Sequence, residues 1–79
     1  MGPRIVLYGK PGCHLCDEAR LIVAAVAAEF GEEFTERDIR DDPEDLREYG
    51  EWIPVVVVDG VEIGRLRIRT EDLRRALSR

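Results

Sequence analysis

The sequence predicts an α/β domain: a four-stranded mixed sheet flanked by helices, in the order strand, helix, strand, helix, strand, strand, helix. Three observations carry this expectation. A long amphipathic helix pattern stands between short strand-like runs, the arrangement of a βαβ unit, which is parallel and right-handed. Val55-Val56-Val57-Val58 is apolar at every position, as in a central strand covered on both faces. Asp59-Gly60 is a two-residue hairpin signal, so the last two strands add antiparallel.

Ile5-Val6-Leu7-Tyr8 is the first strand, closed by the breaker series Gly9-Lys10-Pro11-Gly12. From about Cys13 to Phe30 the apolar residues Leu15, Ala19, Ile22, Val23, Val26 and Phe30 recur at helical spacing. Gly31 stands where a helix usually stops. Phe34 to Ile39 is charged and alternates poorly, which suits an edge strand that discourages pairing with other molecules. Asp42-Pro43-Glu44-Asp45 opens a short second helix, with Asp42 as its cap, and this helix ends near Tyr49-Gly50. After the hairpin, Val61 and Ile63 share one phase while Leu66 and Ile68 share the opposite one. A bulge or kink is therefore expected at Gly64. Arg65, Arg67 and Arg69 alternate with Leu66 and Ile68 as the solvated face of an edge strand. Thr70 is read as the cap of a last helix with Leu73, Ala76 and Leu77 facing inward.

With 79 residues there is room for one domain, residues 1–79. Its 44% hydrophobic share argues for a folded chain over a disordered one. The formal net charge is −5 with a pI near 4.8, which disfavours nucleic acid and anionic membrane as partners, since both need basic footprints. Met1-Gly2-Pro3-Arg4 leads into an apolar run far too short for a signal-peptide core. Leu21 to Ala28 is well under the ~20 residues that span a bilayer. A soluble, cytoplasmic protein is expected.

Cys13 and Cys16 are the only cysteines. A bridge over two intervening residues closes too small a loop to act as a staple, and a reducing cytosol disfavours permanent disulfides. The pair is therefore redox-active, metal-binding or incidental. C-x-x-C between a strand and a helix is the redox pattern. Cysteines three apart in the first helical turn share one face, within reach of an S–S bond. The first sulfur meets the unpaired N–H groups and positive dipole end of the helix, which favour thiolate over thiol. Cys13 is thus the exposed nucleophile and Cys16, one turn in, the resolving thiol. Lys10 and a protonated His14 support the thiolate, whereas Asp17 and Glu18 oppose it. Cys13, His14 and Cys16 offer three metal ligands, but adjacent side chains rarely converge and a closed zinc site takes four.

Tyr8-Gly9-Lys10-Pro11-Gly12-Cys13-His14-Leu15-Cys16 resembles the active-site segment of glutaredoxins, in which a Lys three residues before the first Cys precedes C-x-x-C. Ile53-Pro54, Val55–Val58 and Asp59-Gly60 are similar to that family's hydrophobic-Pro pair, third strand and hairpin, and the likeness runs from about Arg4 to Leu77. It is closest to a small glutaredoxin-like branch with a C-x-L-C centre. The resemblance implies a minimal thioredoxin fold, βαβαββα, and a dithiol–disulfide oxidoreductase with no built-in cofactor. It also implies a disulfide-containing protein or small thiol as substrate, and glutathione or a reductase as electron donor.

By the same resemblance Lys10 meets a glutathione carboxylate, Pro54 is a cis-proline, and Ile53 offers backbone groups to a bound peptide or glutathione. Trp52 either flanks the cysteine pair or covers the sheet edge. The chain departs from the family in having His14 and Leu15 between the cysteines. It also lacks the paired glycines that admit glutathione before the last helix, leaving only the acidic Asp72 as a ligand there. Two other readings stay open: a metal or iron–sulfur carrier using Cys13 from two chains, and a non-catalytic interaction module.

Overall fold

The computed structural model describes residues 2–79; Met1, the start of the stretch weighed against a signal peptide, lies outside them. The chain runs β1 (Ile5–Gly9), α1 (His14–Glu29), β2 (Phe34–Asp38), a 3-10 turn (Ile39–Asp41), α2 (Pro43–Tyr49), β3 (Val55–Val58), β4 (Val61–Arg65) and α3 (Thr70–Leu77). The four strands form one mixed sheet in the order β2-β1-β3-β4. β1 and β2 are parallel, and β3 is antiparallel to both β1 and β4. This is the βαβαββα arrangement with a four-stranded mixed sheet that the sequence predicts.

Strand alternation decides which helix covers which face. Ile5 and Leu7 lie opposite Val58 and Val56, on one side of the sheet. That side packs against Ala19, Val23, Val26 and Ala27 of α1 and against Leu73, Ala76 and Leu77 of α3 to form the main core. Tyr8 and Val55 point to the other side, where the Tyr49 ring of α2 stacks on Tyr8 at a centroid distance of 4.4 Å. The apolar run 55–58 is accordingly central and covered on both faces, with Val55 and Val56 fully buried. Asp59 (φ 51°) and Gly60 (φ 82°) form the two-residue turn with positive φ at both positions that such hairpins favour.

Four details differ from the sequence expectation. β2 stops at Asp38, whose carboxylate accepts from the Arg40 N–H and caps a 3-10 turn opened by Ile39, buried with Cys16 and Ile53. Phe30 is the C-cap of α1 and is exposed, so the inward face of that helix ends at Val26 and Ala27. The bulge falls at Ile63–Gly64 as anticipated, with Val56 opposite Gly64 and Val57 opposite Glu62. Beyond it, however, β4 ends at Arg65 because Leu66 takes φ +66°. Arg65, Arg67 and Arg69 therefore do not form one strand face. Lastly, Arg69 occupies the N-cap of α3 without a side-chain capping bond, its guanidinium donating instead to the Glu71 carboxylate, and Thr70 is the first helical residue.

Candidate active site

β1 delivers the chain at Gly9 to a short loop, Lys10-Pro11-Gly12, and Cys13 then stands in extended conformation as the N-cap of α1. At an N-cap a side-chain acceptor satisfies one of the unpaired N–H groups of the first turn. Here the acceptor is sulfur: the Cys16 backbone N–H donates to Cys13 Sγ at 3.2 Å. The same N–H and the positive end of a sixteen-residue helix favour a thiolate at Cys13. Cys16 sits one turn in, with its Cα 5.1 Å from that of Cys13, inside the ~4.4–6.8 Å that a disulfide spans, and the two sulfurs are bonded.

The two cysteines occupy different environments. Cys16 has no exposed surface and packs with Ile39 and Ile53, while Cys13 is half-buried at the rim with Tyr8 and Tyr49 behind it. Gly9 makes this placement sterically feasible. A Cβ at that position would lie 3.0 Å from Cys16 Sγ, closer than ordinary van der Waals contact. Asp17, the one acidic group in the first turn of α1, is engaged by Arg20 at 2.9 Å, which offsets its repulsion of a Cys13 thiolate.

Lys10 is exposed on the loop before Cys13 and lines an open groove of about 460 Å³ with Pro11, Asp17, Arg20, Arg37 and Asp38. The Asp38 carboxyl in this groove is held below its usual range, first by hydrogen bonds from the Arg40 side chain and backbone and then, more weakly, by Lys10. His14 is the exposed first residue of α1. The Ile53–Pro54 peptide is cis, and Ile53 lies against Cys16. Among the described residues, neither the N–H nor the C=O of Ile53 has a hydrogen-bond partner. The carbonyls on either side of it, those of Trp52 and Pro54, both accept from the Leu66 N–H at 3.2 and 2.8 Å.

Trp52 is half-exposed beneath the guanidinium of Arg65 in β4, which stands 5.0 Å from the ring centroid. Asp72 lines a different groove with Val61, Glu62, Ile63, Arg75 and Arg79, and its nearest ionic partner is Arg75 at 3.6 Å. The structure thus gathers Cys13, Cys16 and Ile53 in one cluster with Lys10 on the adjoining loop, and it places Asp72 elsewhere. Among the described residues, no three His, Cys, Asp or Glu side chains come together as metal ligands.

Three contributors escape sequence reading. Ile39 and Tyr49 wall the cysteines from separate elements, which no local pattern signals. Gly9 reads as a turn residue, although it ends β1 and its lack of a side chain serves Cys16.

A family model described as Glutaredoxin-like domain (DUF836) matches residues 4–78. No curated protein matches the chain. Among solved structures, a structural-genomics target protein from X. campestris is 31% identical, with 94% of this chain and 95% of that one covered and a TM-score of 0.77. A protein from Nitrosomonas europaea solved by NMR is 23% identical, covering 92% and 88%, with a TM-score of 0.76. The holo form of glutaredoxin C1 from Populus tremula x tremuloides is 17% identical, covering 95% and 83%, with a TM-score of 0.65, a likeness of fold alone. A close cysteine pair on this fold supports a thiol redox role in general. Matched over nearly its whole length and built on a thioredoxin-like fold, the chain belongs to the glutaredoxin-like domain family.

Proposed function

We propose that this chain is a dithiol–disulfide oxidoreductase that reduces protein or low-molecular-weight disulfides in the cytoplasm. The reading rests above all on the asymmetry of the pair. Cys13 is half-buried at a helix N-terminus with its sulfur accepting an N–H, while Cys16 is fully buried one turn behind it. Nucleophile and resolving thiol need this division, since attack requires access and thiolate character, whereas resolution requires only proximity to the mixed disulfide.

In the reaction, the Cys13 thiolate attacks one sulfur of the substrate disulfide. A Cys13–substrate S–S bond forms, the substrate S–S bond breaks, and one substrate thiolate leaves. Cys16, losing its proton, then attacks Cys13 Sγ and expels the second substrate thiolate. Two electrons pass from the protein dithiol to the substrate, two protons end on the released thiols, and the Cys13–Cys16 bridge remains. A thiol donor reverses these steps to regenerate the dithiol. Lys10 as a carboxylate contact and the unpaired backbone groups of Ile53 support glutathione or a peptidyl thiol in that role. Asp72 lines a separate groove and leaves a reductase as an equal donor.

Equilibration with graded glutathione redox buffers, followed by thiol alkylation and mass spectrometry, tests the proposal. The expected result is a reversible two-electron midpoint between ~−180 and −270 mV. Thiols that never pair across that range would overturn it.

A further inference from the structure

Beside the cysteine pair lies a second, smaller hollow, formed where α1 faces the segment between β4 and α3. It encloses about 180 Å³, is walled by Leu15, Ile22, Leu66 and Ile68, and has Glu18 and Arg67 at its sides. It has no wall residue in common with the cysteine cluster, but two of its walls lead there. Leu15 stands between the two cysteines in the first turn of α1, and the Leu66 N–H clasps the carbonyls of Trp52 and Pro54, which bracket Ile53.

Leu66 is unusual in two respects. Its φ of +66° is a conformation that a leucine adopts only at a cost, and the residue remains 39% exposed, so the two hydrogen bonds of its N–H rather than burial offset that cost. Residues held in such conformations cluster at binding and catalytic sites. The consequence here is an apolar wall set next to Ile53.

The size of the hollow points to its occupant. Small-molecule sites span ~300–1,000 Å³, so this one suits a single side chain. The free N–H and C=O of Ile53 can pair with an extended backbone, as in strand addition, where main-chain bonds hold the peptide and pockets select its side chains. Glu18 and Arg67, neither in an ion pair among the described residues, offer one charge of each sign at the sides, which matches the polar flanks of a polypeptide.

We infer that the hollow is a specificity subsite for a polypeptide disulfide, taking an aliphatic side chain adjacent to the reacting cysteine. This rests on the exchange reaction proposed above and narrows its substrate class to protein disulfides of that kind. The aliphatic anchor seats the substrate sulfur over Cys13; the bonds made and broken are those already described.

Single-turnover reduction by the dithiol protein tests this with three substrates. Two are short disulfide-bridged peptides that differ only in Leu or Ser beside the cysteine. The third is bis(2-hydroxyethyl) disulfide, which has no flanking side chain. The leucine peptide should react about tenfold faster than the serine peptide, the scale of discrimination available to a small apolar pocket. Leu66→Gly should erase that difference by slowing the leucine peptide about tenfold, to the rate of the serine peptide, because glycine accepts positive φ freely and the fold stays intact. Leu66→Asn, which also tolerates the left-handed region but is polar, should do the same. Equal rates for the two peptides with the unaltered protein, or a leucine preference surviving in both variants, would overturn the subsite. Failure to reduce any of the three would overturn the exchange reaction itself, and the subsite with it.

Discussion

At Cys13 a single hydrogen bond joins the folding of a helix to the chemistry of a thiol. The cap position needs an acceptor, sulfur supplies it, and the N–H that completes α1 is the one that favours the thiolate. Gly9 performs the complementary task for Cys16 by leaving its sulfur room. In the oxidised protein that sulfur is held by a bond, whereas the free thiol rotates. A methyl group at residue 9 therefore strains the disulfide more than the dithiol. Gly9→Ala should shift the equilibrium toward the reduced form by several-fold, with tenfold corresponding to ~30 mV. Measurement of the midpoint beside the unaltered protein checks this, and an unchanged or more negative midpoint would remove the role assigned to Gly9.

Among the elements, the β3–β4 hairpin is tied down by one arginine. Arg4, just before β1, donates twice to the Asp59 carboxylate in the turn, at 2.9 Å each, and once to Glu32 after α1 at 3.0 Å. The Arg4 bonds hold the Asp59 carboxyl below the usual carboxylate range, and Arg40 does the same to Asp38. A carboxyl depressed in the folded state lends stability that is complete above its unfolded pKa of ~3.9. That stability is lost as pH falls through the lower folded value. Urea midpoints should accordingly hold from pH 7 to 5 and fall below about pH 4. Asp59→Asn should lower the midpoint at pH 7 and flatten the acid fall; an undiminished acid slope in that variant would contradict the tie.

The same scale shows what could be read from sequence. The α1 periodicity, the 55–58 run, the Asp59-Gly60 turn and the Asp42 cap are local signals, and each element formed where its signal lay. The stretch from Arg65 to Thr70 was not legible. Its alternation reads as strand, yet the contacts that matter are long-range: the Leu66 N–H finds two carbonyls just before β3, and the main chain turns to meet them. Of the site, Cys13, Cys16 and the Ile53-Pro54 pair were visible as motif and resemblance. The walls from Ile39 and Tyr49 needed the folded topology.

Taken as a whole molecule, the fold converges on one end of the sheet. β1 leads into the loop and first turn that carry the cysteines, β3 is entered through Ile53-Pro54, and α2 closes the far face through Tyr49. Among the described residues no helix is long and apolar enough to cross a membrane. The arrangement leaves one sulfur reachable and buries the other, and the proposed chemistry rests on that division. Trapping tests it most directly. Cys16→Ser, mixed with a disulfide substrate and analysed by mass spectrometry, should accumulate a stable one-to-one adduct on Cys13, while Cys13→Ser should form none. An adduct on Cys16 in the second variant, or none in either, would contradict the assignment.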